Sequence, residues 1–125
     1  MERGKVRVAG LGFRSAATVA SLRDAFDRAG GRADLLATVA GKAEAPAIGK
    51  LAAELGLLVR AVGREELAQE VTLSHSARVA ERFGTGSLAE AAALAAAGPG
   101  ARLLGPRVVS GDGLATAVIA ERTDE

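Results

Sequence analysis

The stretch Val6-Arg7-Val8-Ala9-Gly10-Leu11-Gly12-Phe13-Arg14-Ser15, running into Ala16-Ala17-Thr18-Val19-Ala20-Ser21-Leu22, decides the reading of this chain. A short apolar run is followed by two glycines, a basic residue and a serine. Val19, Leu22, Phe26 and Ala29 then recur at helical spacing. The pattern predicts a strand at Lys5–Ala9, a Gly-x-Gly turn, and a helix from Ser15 to Ala29 closed by Gly30-Gly31. With Ser15 as the cap, the head of that helix becomes an anion site. Its free N–H groups and dipole favour negative charge. Gly10 and Gly12 leave the main chain open to a ligand oxygen. Phe13 lies in the same turn, and Arg14 supplies a guanidinium for a carboxylate or phosphate. The competing reading is that the glycines serve turn geometry and Ser15 only caps the helix.

The same alternation continues. Leu35–Val39 reads as a second strand. The loop from Ala40 carries Lys42 and Glu44 and ends on Pro46, at a first helical turn. Ile48, Leu51, Ala52 and Leu55 give the next helix its apolar face, and Gly56 stops it. Leu57–Val62 is a third strand, and Gly63–Leu67 opens a short helix with an acidic first turn. A link over Val71–Ser76 leads to a helix at Ala77–Phe83, broken by Gly84-Thr85-Gly86. Ser87-Leu88-Ala89-Glu90 has the form of a capping box before an alanine-rich helix ending near Ala97. Arg102–Val109 and Leu114–Ala120 form a hairpin about Ser110-Gly111-Asp112-Gly113. Gly105-Pro106 marks an edge or a bulge in its first arm, and Glu121–Glu125 reads as a frayed tail.

The fold expected is an α/β layered domain spanning residues 1–125. Its mixed, mostly parallel sheet has about five strands, is flanked by helices and ends in a β-hairpin. Ligands of such sheets bind beyond the carboxyl ends of the parallel strands. That places the Gly10–Ser15 and Ala40–Pro46 loops on one edge.

Composition limits function. Hydrophobic residues make up 49% but aromatics 2%, so Leu, Val, Ile and Ala must fill the core around three Phe. The net charge of +1 and the scarcity of aromatic residues argue against nucleic acid. The absence of cysteine removes disulfides, thiolate catalysis and cysteine-held zinc, and a single histidine, His75, removes multi-histidine metal sites. No metal and no cofactor are expected. Ser15 stands where the dinucleotide fingerprint has its third glycine, and Asp34 reads as the start of the second strand. A nucleotide-binding domain is therefore disfavoured. No signal peptide and no 18-residue apolar span is visible, which predicts a cytoplasmic protein with no membrane contact.

The ordered set Gly10-Leu11-Gly12-Phe13-Arg14, Lys42 and Glu44, Ser87-Leu88-Ala89-Glu90-Ala91-Ala92-Ala93-Leu94, and Ala115-Thr116-Ala117-Val118-Ile119-Ala120 resembles the CbiG C-terminal domain, or CobE, family of cobalamin biosynthesis. The resemblance runs from about Val6 to Ala120. The family's turn continues past its arginine with a basic residue and a glycine, where this chain has Ser15 and Ala16. Arg107 stands where the family's hairpin often carries lysine. The resemblance implies Gly10, Gly12, Arg14, Lys42, Glu44, Ser87 and Glu90 as ligand-binding candidates, and Phe13 and Ser15 join them as the remaining residues of the anion-binding turn. It implies a corrin-ring intermediate as ligand, with other enzymes of the pathway as further partners. Corrin precursors carry many acetate and propionate side chains, which suit a site with Arg14 and Lys42. Full-length CbiG is a cobalt-precorrin-5A hydrolase that opens a ring lactone and releases acetaldehyde. Two readings follow: a binding module for a corrin intermediate, or a lactone hydrolase with Glu44 or Glu90 as general base.

Overall fold

A computed structural model of the chain describes residues 4–69 and 88–123. The expectations for Val71–Ser76, His75, Ala77–Phe83, the Gly84-Thr85-Gly86 break and Ser87 lie outside the described residues, as do Asp124 and Glu125. The elements are β1 (Lys5–Phe13), α1 (Val19–Arg28), β2 (Leu35–Val39), a 3-10 turn (Ala40–Lys42), α2 (Pro46–Leu55), β3 (Val59–Val62) and α3 (Arg64–Ala68). They are followed by α4 (Leu88–Ala97), β4 (Arg102–Leu103), β5 (Val108–Val109) and β6 (Ala115–Thr123). One six-stranded sheet runs β3-β2-β1-β6-β4, with β5 also on β6. β1, β2 and β3 are parallel, while β6 is antiparallel to β1, β4 and β5. The α/β class and the mixed sheet are as the sequence predicts.

Alternating residues of the central strands feed two cores. Ala9 and Leu11 of β1 join Leu22, Phe26, Leu36, Ile48 and Leu51 under α1 and α2. Val8, Ala37, Val118 and Ala120 meet the alanines of α4 on the other face.

The expected Gly-x-Gly turn does not exist. Gly10, Leu11, Gly12 and Phe13 belong to β1, whose ladder with β6 runs from Lys5↔Thr123 to Phe13↔Ala115. A β-carbon on Gly10 would run into the carbonyl oxygen of Ala89 and lie 2.8 Å from the β-carbon of Ala93. One on Gly12 would lie 2.8 Å from Thr116 Oγ1. Gly10 lets α4 pack its backbone onto the sheet, and Gly12 makes room for the Thr116 hydroxyl of β6.

Ser15 is not the helix cap either. Thr18 caps α1 in a reciprocal box: its hydroxyl accepts the Ser21 N–H at 3.2 Å, and Ser21 Oγ accepts the Thr18 N–H at 3.1 Å. Residues 14–17 form a separate turn, closed by the Ala17 N–H on the Arg14 carbonyl.

The second helix starts and stops as expected, with Pro46 in its first turn and Gly56 in the left-handed region at φ 68°. The hairpin turn also stands. The Gly113 N–H donates to the Ser110 carbonyl, and Gly113 has φ 75°. The first arm of the hairpin is interrupted at Gly105-Pro106. Residues 104–107 stand opposite Val118 and Ile119 alone, which splits the arm into β4 and β5. The expected frayed tail is ordered through Thr123, because β1 offers a ladder for the whole of β6. Glu121 is buried there, and Arg7 Nε donates to its Oε2 at 2.8 Å.

Candidate functional site

Two parallel strands joined by a helix deliver their following loops to the same edge of the sheet. β1 ends at Phe13 and β2 passes into the 3-10 turn Ala40–Lys42, so these two places meet although distant in sequence. Between them lies an open cleft of about 590 Å³. Its polar and aromatic lining is Phe13, Ser15, Lys42 and Glu44; Ala17, Gly41 and the Ala45-Pro46-Ala47 entry to α2 supply a small, smooth wall. The volume falls in the range of ordinary small-molecule sites.

Lys42 Nζ stands 5.4 Å from the centroid of the Phe13 ring, within cation–π range. The ring shields the ammonium on one side and leaves its other donors for a ligand. Ser15 and Glu44 are exposed on the rim. Arg14 is exposed too, and its backbone N–H continues the β1–β6 ladder by donating to the Leu114 carbonyl at 2.9 Å. It is not among the residues that line the cleft.

The remaining candidates stand elsewhere. Gly10 and Gly12 are buried under α4. Glu90 is completely buried, and its Oε2 accepts the Arg107 N–H at 3.1 Å. It ties α4 to the interrupted arm of the hairpin, away from the cleft lining. Arg107 itself is partly buried beside this bond. No glycine turn leads into the head of α1, since Gly10 and Gly12 lie in β1 and Thr18 caps the helix; the cation that lines the cleft at the strand ends is Lys42. Among the described residues no group of three or more His, Cys, Asp or Glu side chains is gathered to hold a metal ion. No helix among them is long and apolar enough to cross a membrane.

Several structural groups carry no local signal in the sequence. Thr38 is fully buried and donates its hydroxyl to the Leu11 carbonyl at 2.8 Å, bracing the two strands behind the cleft. Asp112, in the hairpin turn, accepts the Ser110 and Ser21 hydroxyls at 2.6 and 2.5 Å and the Leu114 N–H at 3.0 Å. These bonds, Ser110 first, hold its carboxyl below the usual aspartate range. They fasten the hairpin to α1.

Comparison with known proteins agrees with this architecture. The family model for the C-terminus of cobalamin synthesis protein G matches residues 7–120. Among curated proteins nothing matches. A solved structure of CobE, a protein from the cobalamin (vitamin B12) biosynthetic pathway, superposes with a TM-score of 0.80 at 30% identity, over 97% of this chain and 93% of that one. The cobalamin biosynthesis protein chiG from Agrobacterium tumefaciens str. C58 gives 0.67 at 38% identity, over 92% of this chain and 97% of that one. A putative cobalamin biosynthesis protein G homolog from Sulfolobus solfataricus shares the fold, with a TM-score of 0.69 at 20% identity, over 96% of this chain and 37% of that longer one. The chain belongs to the family of the cobalamin synthesis protein G C-terminal domain, and its pathway is cobalamin biosynthesis.

Proposed function

We propose that this protein binds a corrin-ring intermediate of cobalamin biosynthesis, and that the cleft at the ends of β1 and β2 receives one edge of the ring. The observation that carries this reading is the Lys42 ammonium set over the Phe13 ring beside a wall of small residues. A corrin intermediate offers the matching parts: an apolar macrocycle rimmed by carboxylates. Lys42 pairs with a ring carboxylate. Phe13 and the Ala45-Pro46-Ala47 segment meet the apolar edge, and Ser15 donates a hydroxyl. Arg14, at the mouth, adds long-range attraction.

The protein on this reading carries its ligand and leaves it unchanged. An absorbance titration with hydrogenobyrinic acid tests it. Wild-type protein shifts the corrin spectrum with saturation. Lys42→Ala loses a charge-assisted contact of about 1.5–3 kcal/mol, which is about a ten- to hundredfold weaker Kd. Equal affinities for the two proteins sink the assignment of the cleft.

Glu44 on the cleft rim supports a second reading, a lactone hydrolase in which Glu44 activates water. Acetaldehyde released from a lactone-bearing precorrin by the purified chain, and lost in Glu44→Gln, selects that reading over the carrier.

A further inference from the structure

The sheet forks at its carboxyl edge. β1 and β2 pair through Val8↔Leu35, Ala9↔Leu36 and Gly10↔Ala37, although β1 runs on to Phe13 and β2 to Val39. Beyond Gly10 and Ala37 each strand keeps its other neighbour. β1 stays on β6 as far as Phe13↔Ala115, and β2 stays on β3 as far as Val39↔Val62. The two prongs carry the two halves of the cleft: Phe13 ends one, and the 3-10 turn with Lys42 follows the other.

The first missing step of the ladder is Leu11 with Thr38. In its place the Thr38 side chain crosses the fork, and its hydroxyl donates to the Leu11 carbonyl at 2.8 Å. A ladder N–H lies in the plane of the sheet, whereas a side chain stands off that plane, so this bond ties the prongs together without closing them. Leu11 and Thr38 are both fully buried, and bulk water does not reach in to replace a lost donor. Leu11 stands two residues before Phe13, and Thr38 four before Lys42. The chain between Thr38 and the cleft is fixed by turn bonds: the Ala43 N–H donates to the Ala40 carbonyl at 3.3 Å, and the Ala45 N–H to the Lys42 carbonyl at 3.1 Å. The contact of Lys42 Nζ with the Phe13 ring, 5.4 Å from its centroid, spans the same fork, so it depends on how far apart the prongs are held.

We propose that Thr38 is a positioning residue for the cleft: its hydroxyl fixes the separation of the two prongs and so holds Lys42 over Phe13. Thr38 itself touches no ligand, because it is fully buried and outside the cleft lining. Its effect on ligand affinity rests on the corrin-binding reading; its effect on Lys42 does not. The role needs both parts of the side chain. The β-branch suits a strand and the hydroxyl supplies the donor, whereas valine keeps the branch and loses the donor.

The test reads Lys42 directly by NMR. The Phe13 ring current shifts the Lys42 ε-methylene protons upfield, and Phe13→Leu identifies that shift by abolishing it. Thr38→Val loses most of the shift, and Thr38→Ser keeps it. Thr38→Cys, whose thiol is a weaker donor, falls between them and serves if the valine variant does not fold. A Thr38 that matters to stability alone would lower the melting temperature and leave Lys42 in place in the folded protein. In the titration with hydrogenobyrinic acid, run well below the melting midpoint of each variant, Thr38→Val weakens Kd about fivefold and Thr38→Ser less than about twofold. The proposal is overturned by an unchanged Lys42 shift in the folded valine or cysteine variant. It is overturned equally by a serine variant that loses the shift as fully as valine, which would give the role to methyl packing. A valine variant that loses the shift yet binds the acid like wild type also overturns it. Wild-type protein that fails to bind the acid while the shifts follow the expected series leaves Thr38 in its role and removes the corrin-binding reading alone.

Discussion

The two faces of the sheet are packed by opposite means. Under α1 and α2 the contact is made by large side chains: Leu11, Leu22, Phe26, Leu36, Ile48 and Leu51 interdigitate. Under α4 it is made by Ala89, Ala91, Ala92, Ala93 and Ala97, with Ala89 and Ala93 pressed onto Gly10. On the first face distance is set by side-chain volume, so a truncation leaves a cavity whose cost scales with its size. On the second the limit is backbone against backbone. No side chain is available to shift, so one added carbon must displace a helix. Glycine and alanine carry as much of this fold as leucine does.

The sharpest way to break this comparison is to enlarge a glycine. Gly10→Val sets three carbons against the Ala89 carbonyl and Ala93, and we expect no cooperative melt at all. The companion change on the other face is Phe26→Ala, which should cost about 3–5 kcal/mol and leave a folded, less stable protein. Urea denaturation followed by circular dichroism ranks the two. A Gly10→Val protein that melts at the wild-type midpoint would mean that α4 does not touch the sheet there.

A smaller effect separates the faces by pH. On the α1 side, Asp112 is held by Ser110 and Ser21, and Asp24 accepts the Gly111 N–H at 2.7 Å and pairs with Arg28. Both carboxyls are lowered: Asp112 by the Ser110 hydroxyl first, Asp24 by the Gly111 N–H first. A carboxyl with a depressed folded-state pKa stabilises the protein above its unfolded value, near about pH 4. That stabilisation is lost as pH falls through the lower folded value. Denaturation midpoints should therefore drop from pH 6 to below pH 4, and hydrogen exchange should show α1 loosening before α4. Asp112→Asn should flatten part of the drop. An unchanged pH profile in that variant would remove Asp112 as a fastener.

The smallest effect is expected at Arg14. Arg14→Ala should alter stability by less than about 0.5 kcal/mol, as an exposed residue away from the core. In the corrin titration it should weaken affinity less than Lys42→Ala, because Lys42 lines the cleft and Arg14 stands outside it. A larger loss at Arg14 than at Lys42 would move the centre of the site to the mouth.

Much of the fold was legible because its signals are local. Pro46 and Gly56 bracket an apolar stripe within a few turns of chain, and Ser110–Gly113 carries the composition of its turn. The strand–helix–strand order was enough to bring the loop after β1 and the loop after β2 to one edge, and so to place Phe13, Ser15, Lys42 and Glu44 together. Where two nearby residues competed for one role, the reading erred: Ser15 and Thr18 are both good caps, and the reciprocal partner Ser21 selected Thr18.

By itself, then, the sequence determined the α/β class, the second helix, the hairpin turn and the edge on which the cleft opens, since each rests on contacts between near neighbours or on the handedness of a crossover. Tertiary structure alone decided that Gly10 and Gly12 are strand rather than turn. Their partners lie far along the chain: the α4 alanines about eighty residues on, and Thr116 and Val118 more than a hundred. It alone decided that Glu121 is buried rather than frayed, because the first strand extends the ladder that holds it and supplies Arg7 as its partner. The physical reason is the same in each case. Glycine permits both a turn and a close approach, and a charge permits both solvent and a buried pair, so only the neighbour that arrives in the folded state chooses between them.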